Sequence, residues 1–409
     1  MNPNEFIPGL SDEGKTILNV IQKNGPIIIN ELIDLLRINR GRLQRLMQSL
    51  EQAGLILSSG HTDSTGGRRS VLYDINCREY YIAGIAIGST RYSIFIVDLK
   101  NRPLVSRQFP RDPAVLLENF IQTAYRQLNI LAQDADIPYT SIIGAGIGIP
   151  GAVDRRQGIL IRQHSGFFHP SWLNTPMRQM FEDALHIPVV LDLNIYGETL
   201  ASYYYGRGRS SEKLMVVACS TSIINGFISK GQLLRSINDH EDALAHITVD
   251  INGLPCRCGN YGCIECYSSV KAIMNRFISD LKMGHTSSIQ KDIAQITIHD
   301  IVQAAEEGDS LASNTIEYAA RVLGCGLANY MRLLSPDTVI LNGTMIDESP
   351  LYYDTVIATA KRQLCHKENC PDIHFIKNDH PKTGVFSESA AVLYLEHLFN
   401  PEERLIPRQ

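Results

Sequence analysis

Four cysteines and one glutamate lie close together in the stretch GLPCRCGNYGCIECYSS, residues 253–269. Three of these thiols, with a histidine one short hairpin upstream, make a ligand set that suits tetrahedral zinc. A site with four protein ligands leaves no coordination position for a substrate or an activated water, so this metal would be structural. The predicted ligands are His246, Cys256, Cys258 and Cys263.

Cys266 is a possible substitute ligand, but it lies one helical turn after Cys263 and can equally pack against its neighbours. The alternative to a metal site is a group of free thiols near a loop. In a cytosolic chain, clustered cysteines favour metal over disulfides. The other cysteines are scattered and are interpreted as plain thiols; they are Cys77, Cys219, Cys325, Cys365 and Cys370.

The composition indicates a soluble protein of more than one domain. A chain of 409 residues exceeds what one hydrophobic core usually covers, and its 44% apolar residues are enough for two or three cores. The sequence has no apolar run long enough to cross a membrane and no secretory signal at its start, so we expect a cytoplasmic protein that binds no membrane. The net charge of −5 argues against a protein that is basic all over, but allows a local basic patch.

Residues 1–76 are predicted to form a winged helix-turn-helix domain. Ser11 followed by two acids is typical of a helix N-cap, and Asn39 is placed to cap a third helix, RGRLQRLMQSLEQAG. Between them, INELIDLLR follows a Gly-Pro break and predicts a short second helix. Two apolar segments, LILSSG and RSVLYDIN, flank a glycine-tipped loop and predict a β-hairpin, the wing.

Positive charge is concentrated where the third helix and the wing would meet DNA. From Arg37 to Tyr73 there are six arginines against Glu51 and Asp63. A recognition helix reads base edges in the major groove, while wing arginines suit phosphate or minor-groove contacts. The alternative is a small helical domain with a solvated arginine face. The predicted contacts to double-stranded DNA are Arg40, Arg42, Gln44 and Arg45 from the helix, with Arg68 and Arg69 from the wing.

From Tyr80 onward, strands alternate with helices, which predicts an α/β architecture. YYIAGIAIG and YSIFIVDL form a strand pair around a Ser-Thr turn, and residues 214–231 repeat this pattern. The repetition predicts a two-lobed body with a cleft between the lobes. We place the first lobe at 80–200 and the second, with the metal site, at 201–385, and expect a helix at about 386–399 to return to the first lobe.

Several of these segments together resemble the ROK family, and the similarity extends over essentially the whole chain. HITVDINGLPCRCGNYGCIECYSS is similar to the family signature, and STGGRR resembles the wing of its repressor branch. GIGIPGAVD, Gly146–Asp154, is similar to the segment beside the sugar site, and residues 324–343 resemble the adenosine-side helix and strand. The family contains sugar-responsive repressors and sugar kinases. The resemblance implies an actin-like, ribonuclease-H-like ATPase fold, with zinc in the second lobe and His246 and Glu265 facing the sugar.

The sequence departs from the family's kinases at three places. Their catalytic base is an aspartate where this chain has Asn194, and an amide cannot take up a proton; losing a base costs about 10²–10⁴ in rate. Ala86 replaces the aspartate of the first phosphate loop, and residues 220–226 carry isoleucines where the second loop has glycines. We therefore expect no catalytic residue and no ATP. The alternative is a sugar kinase with an atypical active site.

The sugar site also departs from the family pattern, because Ala243 and Leu193 replace two residues that contact the sugar. Asn194, His246 and Glu265 could still bind a modified or different sugar. The other interpretation is a vestigial pocket, with the signal coming from a protein partner or from DNA alone. The prediction is a transcriptional regulator, most simply a repressor of carbohydrate genes, that binds palindromic operator DNA as a homodimer or homotetramer under control of a sugar-type effector.

Overall fold

The structure is a computed structural model that describes residues 10–62, 69–163, 167–235, 243–365, 371–377 and 389–399. It divides into two compact units. The first comprises Met1–Tyr205 with Thr383–Gln409, and the second comprises Gly206–Lys382. Within the described residues, every helix is too short or too polar to span a bilayer.

The N-terminal module contains three helices and a small antiparallel sheet in strand order β1-β3-β2. Both predicted caps are confirmed. Ser11 Oγ accepts a hydrogen bond from the Gly14 amide at 3.2 Å, and Asn39 Oδ1 accepts one from the Arg42 amide at 2.8 Å. Each cap satisfies an amide that has no partner inside its helix. The elements are α1 (Asp12–Asn24), β1 (Ile27–Ile28), α2 (Ile29–Leu36), α3 (Arg40–Gln52), β2 (Ile56–His61) and β3 (Val71–Ile75).

Helix α2 forms although it has neither a polar residue before it nor a glycine after it. Ile28, at the N-cap, offers no side-chain oxygen, but the Glu31 carboxylate accepts from the Ile28 amide at 3.1 Å. At the other end Arg37 adopts the left-handed conformation, with φ of 53°, and its amide bonds to the Ile33 carbonyl. The helix therefore ends at Arg37, a residue that lacks the conformational freedom of the glycine usual at this position.

The body part of the first unit is a five-stranded sheet in the order β10-β7-β4-β5-β6, covered by helices. Helix α13 packs on β7, where Tyr394 donates a hydrogen bond to the Ile143 carbonyl at 2.9 Å. The elements are β4 (Tyr81–Ile87), β5 (Arg91–Asp98), β6 (Pro103–Pro110), α4 (Leu117–Asp134), β7 (Ile142–Ile149), β8 (Ala152–Asp154), β9 (Ile159–Arg162), α5 (Met177–Leu185), β10 (Val189–Leu193), α6 (Asn194–Tyr204) and, as the last helix, α13 (Ser389–Phe399).

The second unit repeats this plan with the sheet order β13-β12-β11-β14-β15. Its longest helix, α10, is capped by Asp309, which accepts from the Ala312 amide at 2.8 Å, and packs along α12. The elements are β11 (Lys213–Cys219), β12 (Ile223–Ser229), β13 (Gln232–Leu234), α7 (Glu265–Ser268), α8 (Val270–Lys282), α9 (Ile298–Glu306), α10 (Ser310–Leu334), β14 (Thr338–Asn342), α11 (Thr344–Glu348), α12 (Pro350–Leu364) and β15 (His374–Lys377).

The predicted strand pairs are present in both units: β4 pairs antiparallel with β5, and β11 with β12. A third antiparallel strand, which was not predicted, extends each pair on one side. A parallel strand joins each pair on the other side. The division between units differs slightly from the predicted lobes. Helix α6 continues to Tyr204, so residues 201–205 belong to the first unit.

Candidate functional site

The predicted metal ligands come together in the second unit. One ligand atom from each of the four side chains lies within 4.8 Å of every other, so the cluster could hold a metal ion. Cys256 Sγ is 3.5 Å from His246 Nδ1, and Cys258 Sγ is 3.7 Å from Cys263 Sγ. A tetrahedron with metal–sulfur bonds of about 2.3 Å has edges of roughly 3.8 Å, so the spacing of these donors suits a tetrahedral ion.

Backbone bonds of the cysteine loop fix this spacing. The Cys256 amide donates to the Asn260 carbonyl at 2.8 Å, which closes the turn between the first thiols and Cys263. Gly262 precedes Cys263 with φ of +67°, and a Cβ there would lie 1.6 Å from the Asp250 carbonyl oxygen. Only glycine fits at this position, since any side chain would push Asp250 away from the loop.

Two thiols of the cysteine loop, one outside the cluster and one within it, have different surroundings. Cys266 Sγ lies 3.6 Å from the Pro255 carbonyl oxygen and is not part of the four-residue group. Burial raises the pKa of Cys258, but hydrogen bonds with the Asn260 backbone and with neighbouring thiols outweigh it, so this pKa lies below its usual value. A lowered pKa favours the thiolate, which is the form that binds metals.

Glu265 links the cysteine loop to the turn between β11 and β12. Its carboxylate is buried and accepts a hydrogen bond from the Ile223 amide at 2.9 Å. Its amide donates to the Ala245 carbonyl, next to His246, at 2.9 Å. Arg257 lies 3.8 Å from the second carboxylate oxygen. The glutamate therefore ties the candidate metal site to the segment that corresponds to a phosphate loop.

That segment is tied by hydrogen bonds to other parts of the second unit. Ser220 Oγ accepts from the Thr344 amide at 3.0 Å, and the Ser220 carbonyl accepts from the Val270 amide at 2.9 Å. Asn225 donates to the Tyr330 hydroxyl at 3.2 Å, and burial raises the pKa of that tyrosine. The Ile223 amide is held by Glu265, and the Ser220 amide donates to the Ser222 carbonyl at 3.1 Å, so neither is free as an amide of a phosphate loop would be.

In the first unit, Asn194 is the first residue of α6 and is 2% exposed. Its Nδ2 donates to the Ile87 carbonyl at 2.9 Å, while its Oδ1 has no hydrogen-bond partner among the described residues. Asp192, two residues earlier, forms an ion pair with Arg155 at 2.9 Å. A buried amide oxygen without a partner is costly, so this atom is suited to accept a bond from a ligand hydroxyl.

The predicted DNA-contacting side chains of α3 are all exposed; they are Arg40, Arg42, Gln44 and Arg45. Leu43, Met47 and Leu50 of the same helix are buried in the module, so its polar face points outward. Arg42 forms an exposed ion pair with Glu13 of α1 at 2.8 Å, which the sequence did not predict. Arg69, two residues before β3, is exposed, and Arg68 lies outside the described residues.

Comparison with known proteins decides the family. The pattern of the ROK family matches residues 82–391, which is most of the chain. The chain belongs to the ROK family. Among curated ROK relatives, the DNA-binding transcriptional dual regulator NagC of Escherichia coli strain K12 is 28% identical over 377 residues, covering 91% of this chain and 90% of NagC. The xylose repressor of Bacillus subtilis strain 168 is 25% identical over 346 residues, covering 84% of each chain.

Solved ROK structures show the same fold. A ROK family transcriptional regulator, homologous to the E. coli MLC protein, superposes with a TM-score of 0.77 at 20% identity, covering 95% of this chain and 96% of its own. The ROK hexokinase of Thermus thermophilus gives a TM-score of 0.65 at 22% identity, covering 99% of the kinase but 78% of this chain. The two-unit body therefore has the actin-like ATPase fold that ROK regulators and sugar kinases share.

Arg111 is a ROK-domain residue that sequence reasoning missed. It is 5% exposed, and its guanidinium donates to the carbonyls of Gly88, Ser89 and Phe167. It also lies 4.6 Å from the centroid of the Phe168 ring. Burial lowers its pKa to about 10, which keeps it charged at neutral pH. The turn after β4, which corresponds to the first phosphate loop, is thus held by an arginine from beyond β6.

Proposed function

We propose that this ROK protein is a DNA-binding transcriptional repressor of carbohydrate genes, and that a sugar-type effector releases it from its operator. Two relatives that align with most of the chain are a xylose repressor and NagC, and NagC's counterpart in E. coli O157:H7 is an N-acetylglucosamine repressor. The proposal extends their described roles to this chain. It also places the protein in the cytoplasm, as a homodimer or homotetramer whose two-fold symmetry matches a palindromic site.

The observation that carries this proposal is the exposed basic face of α3. Three arginines and a glutamine project from one helix of a three-helix module, opposite its buried leucines. Arginine can bond bidentately to guanine, and glutamine to adenine, in the major groove. Arg69 would add a phosphate or minor-groove contact from the wing, as would Arg68. The order of three helices and a hairpin supports the proposal that this module is a winged helix-turn-helix.

The test is retention of genomic DNA by the full chain. Sheared DNA of the host would be passed over the immobilised protein with excess nonspecific competitor, and the retained fragments sequenced. We expect enrichment of promoter fragments next to carbohydrate genes, each with two inverted half-sites. Failure to enrich any fragment over a column without protein would contradict the proposal.

We further propose that this cluster binds zinc and that the role of the ion is structural. The donor set of one imidazole and three thiols is typical of closed zinc sites. The ligands His246, Cys256, Cys258 and Cys263 would hold the ion and so fix the segment that presents Glu265. Zinc supplies no chemistry to a substrate in such a site, because protein atoms occupy its coordination positions.

For the effector, we propose Asn194 in the first unit and His246 and Glu265 in the second as sugar-binding residues. Within the described part of the chain, Oδ1 of Asn194 has no hydrogen-bond partner, which favours this role, because a sugar hydroxyl could donate to it. The Glu265 carboxylate accepts from a backbone amide and retains lone pairs for a hydroxyl. The substitutions at Leu193 and Ala243 argue for a sugar whose hydroxyl pattern differs from that of glucose.

We also propose that the protein does not transfer phosphate. Asn194 stands where the family's kinases have their catalytic base. In addition, the Ile223 amide is bonded to Glu265, and Arg111 bonds to the turn of the first phosphate loop. No ATP is expected to bind.

Incubation with ATP, magnesium and a panel of hexoses is therefore expected to yield no sugar phosphate above a blank. Asn194→Asp should remain equally inactive, because restoring a base leaves both phosphate turns closed. A ROK hexokinase assayed in parallel provides the positive control. Turnover by the wild-type protein would contradict the non-enzyme proposal, and turnover by Asn194→Asp alone would contradict our account of the phosphate turns.

A further inference from the structure

The DNA-binding module is joined to the body of the first unit through polar side chains of α1. Lys23 Nζ forms an ion pair with Glu396 of α13 at 3.0 Å, and the two side chains are 16% and 3% exposed. The same ammonium lies 3.4 Å from the centroid of the Tyr204 ring, at the end of α6. A cation held by a carboxylate and an aromatic face in a water-poor setting has a well-defined position.

Gln22, the residue before Lys23, makes a second pair of contacts. Its Nε2 donates to the Leu99 carbonyl at 3.0 Å and to the hydroxyl of Tyr205, which directly follows α6. Successive residues of α1 therefore contact the C-terminal end of α6 and, through Lys23, the side of α13. We call these contacts of Gln22 and Lys23 the α1 clasp.

The two helices that the clasp contacts are packed closely on each other. Gly197 of α6 lies against the Ser389 carbonyl at the start of α13, where a Cβ would come within 2.5 Å of the oxygen. Eight of the 11 residues of α6 are buried. A pair of helices in such close contact moves as one rigid element rather than bending independently.

The opposite end of α6 is Asn194, whose buried Oδ1 has no hydrogen-bond partner among the described residues. One helix of 11 residues thus carries a candidate effector-binding side chain at its first position and a contact of the DNA-binding module at its last. A displacement of α6 on ligand binding would reach α1 without passing through any flexible loop.

We infer that Lys23, Glu396 and Tyr204 are positioning residues that transmit effector binding from α6 to the DNA-binding module. This inference rests on the proposed repressor function and names the contacts that would couple its two sites. In the sugar-free protein the clasp would hold α1, and with it α3, in the orientation that fits the operator. Movement of α6 would shift the clasp and lower DNA affinity, and by linkage DNA would lower sugar affinity by the same factor.

The test compares operator affinity with and without sugar for the full chain and its variants. The probes are D-xylose, D-glucose and N-acetyl-D-glucosamine at saturating concentration, and the readout is anisotropy of a labelled operator fragment. We expect sugar to weaken wild-type binding by about 5-fold to 150-fold, the range of ordinary allosteric coupling. The double variant Lys23→Met with Glu396→Gln, which removes both charges of this ion pair, should bind DNA and sugar but lose this response.

Lys23→Arg should keep most of the response, because it preserves the cation. Lys291→Met is the matched control, since it removes a lysine paired with Asp300 at 2.7 Å in the second unit. A merely structural role would lower stability or DNA affinity without changing the ratio of affinities. A full sugar response in the double variant would overturn the inference. A wild type that bound no DNA, or that bound DNA equally with and without every probe, would instead overturn the proposed function.

Discussion

Replacing Arg42 and Arg45 by alanine is expected to weaken operator binding by between about 30-fold and 10⁴-fold, since each bidentate base contact contributes roughly 1–3 kcal/mol. Both side chains are exposed on α3, on the face opposite Leu43 and Met47. Binding should also depend less steeply on salt, because fewer counterions are released from the DNA. Titration of a labelled operator at two or more salt concentrations measures both effects.

The double variant should remain folded. Among the residues that the structure describes, these two arginines form one ion pair, Arg42 with Glu13, whose side chains are 58% and 40% exposed; pairs of this kind contribute about 0–1 kcal/mol. Arg107→Ala with Arg126→Ala is the matched control, because it removes the same charge and one exposed ion pair, Arg107 with Asp134 at 3.1 Å. If the two double variants bound the operator alike, α3 would not be the recognition helix.

The second large effect is expected when a metal ligand is removed. Cys256→Ser should abolish stoichiometric metal binding and lower the free energy of unfolding by at least about 3 kcal/mol, because the binding free energy of a structural zinc, about 10–16 kcal/mol in small peptides, is coupled to folding. Elemental analysis of the purified protein and a thermal melt measure the two quantities. A strong chelator should produce the same loss of stability in the wild type.

Cys266→Ser separates loss of a ligand from loss of a nearby thiol. Cys266 is in the same loop but lies against the Pro255 carbonyl, outside the four-residue cluster. We therefore expect this variant to retain its metal and to melt close to the wild type. A purified wild-type protein that was metal-free and as stable as the metal-loaded form would refute the structural role of the cluster.

Local signals predicted much of this structure. Helix α10 runs over Ser310–Leu334, close to the predicted bounds. It could be predicted because the signals for it, its cap and its long amphipathic pattern, are local to the segment. The cluster of candidate metal ligands was predictable for the same reason, since three of the four residues lie in one short loop. Helix α12 was missed, although Ser349 caps it and Pro350 occupies its first position, a combination that is typical of a helix start.

Other features depend on residues that are distant in sequence. Arg111 donates to the Phe167 carbonyl, and Glu265 accepts from the Ile223 amide, and nothing in either segment alone indicates these bonds. The strand β1 has two residues and is defined by its pairing with β3, so no periodic pattern could reveal it. The Lys23 and Glu396 ion pair joins the two ends of the chain and becomes visible only when α1 and α13 are packed.

The central claim is that the kinase-like body senses a sugar and alters DNA binding. The most direct measurement is the dissociation constant of the wild-type protein for a retained promoter fragment, titrated with and without each sugar of the panel. The account predicts that one sugar raises this constant by about 5-fold to 150-fold. A dissociation constant that no sugar changes would contradict it.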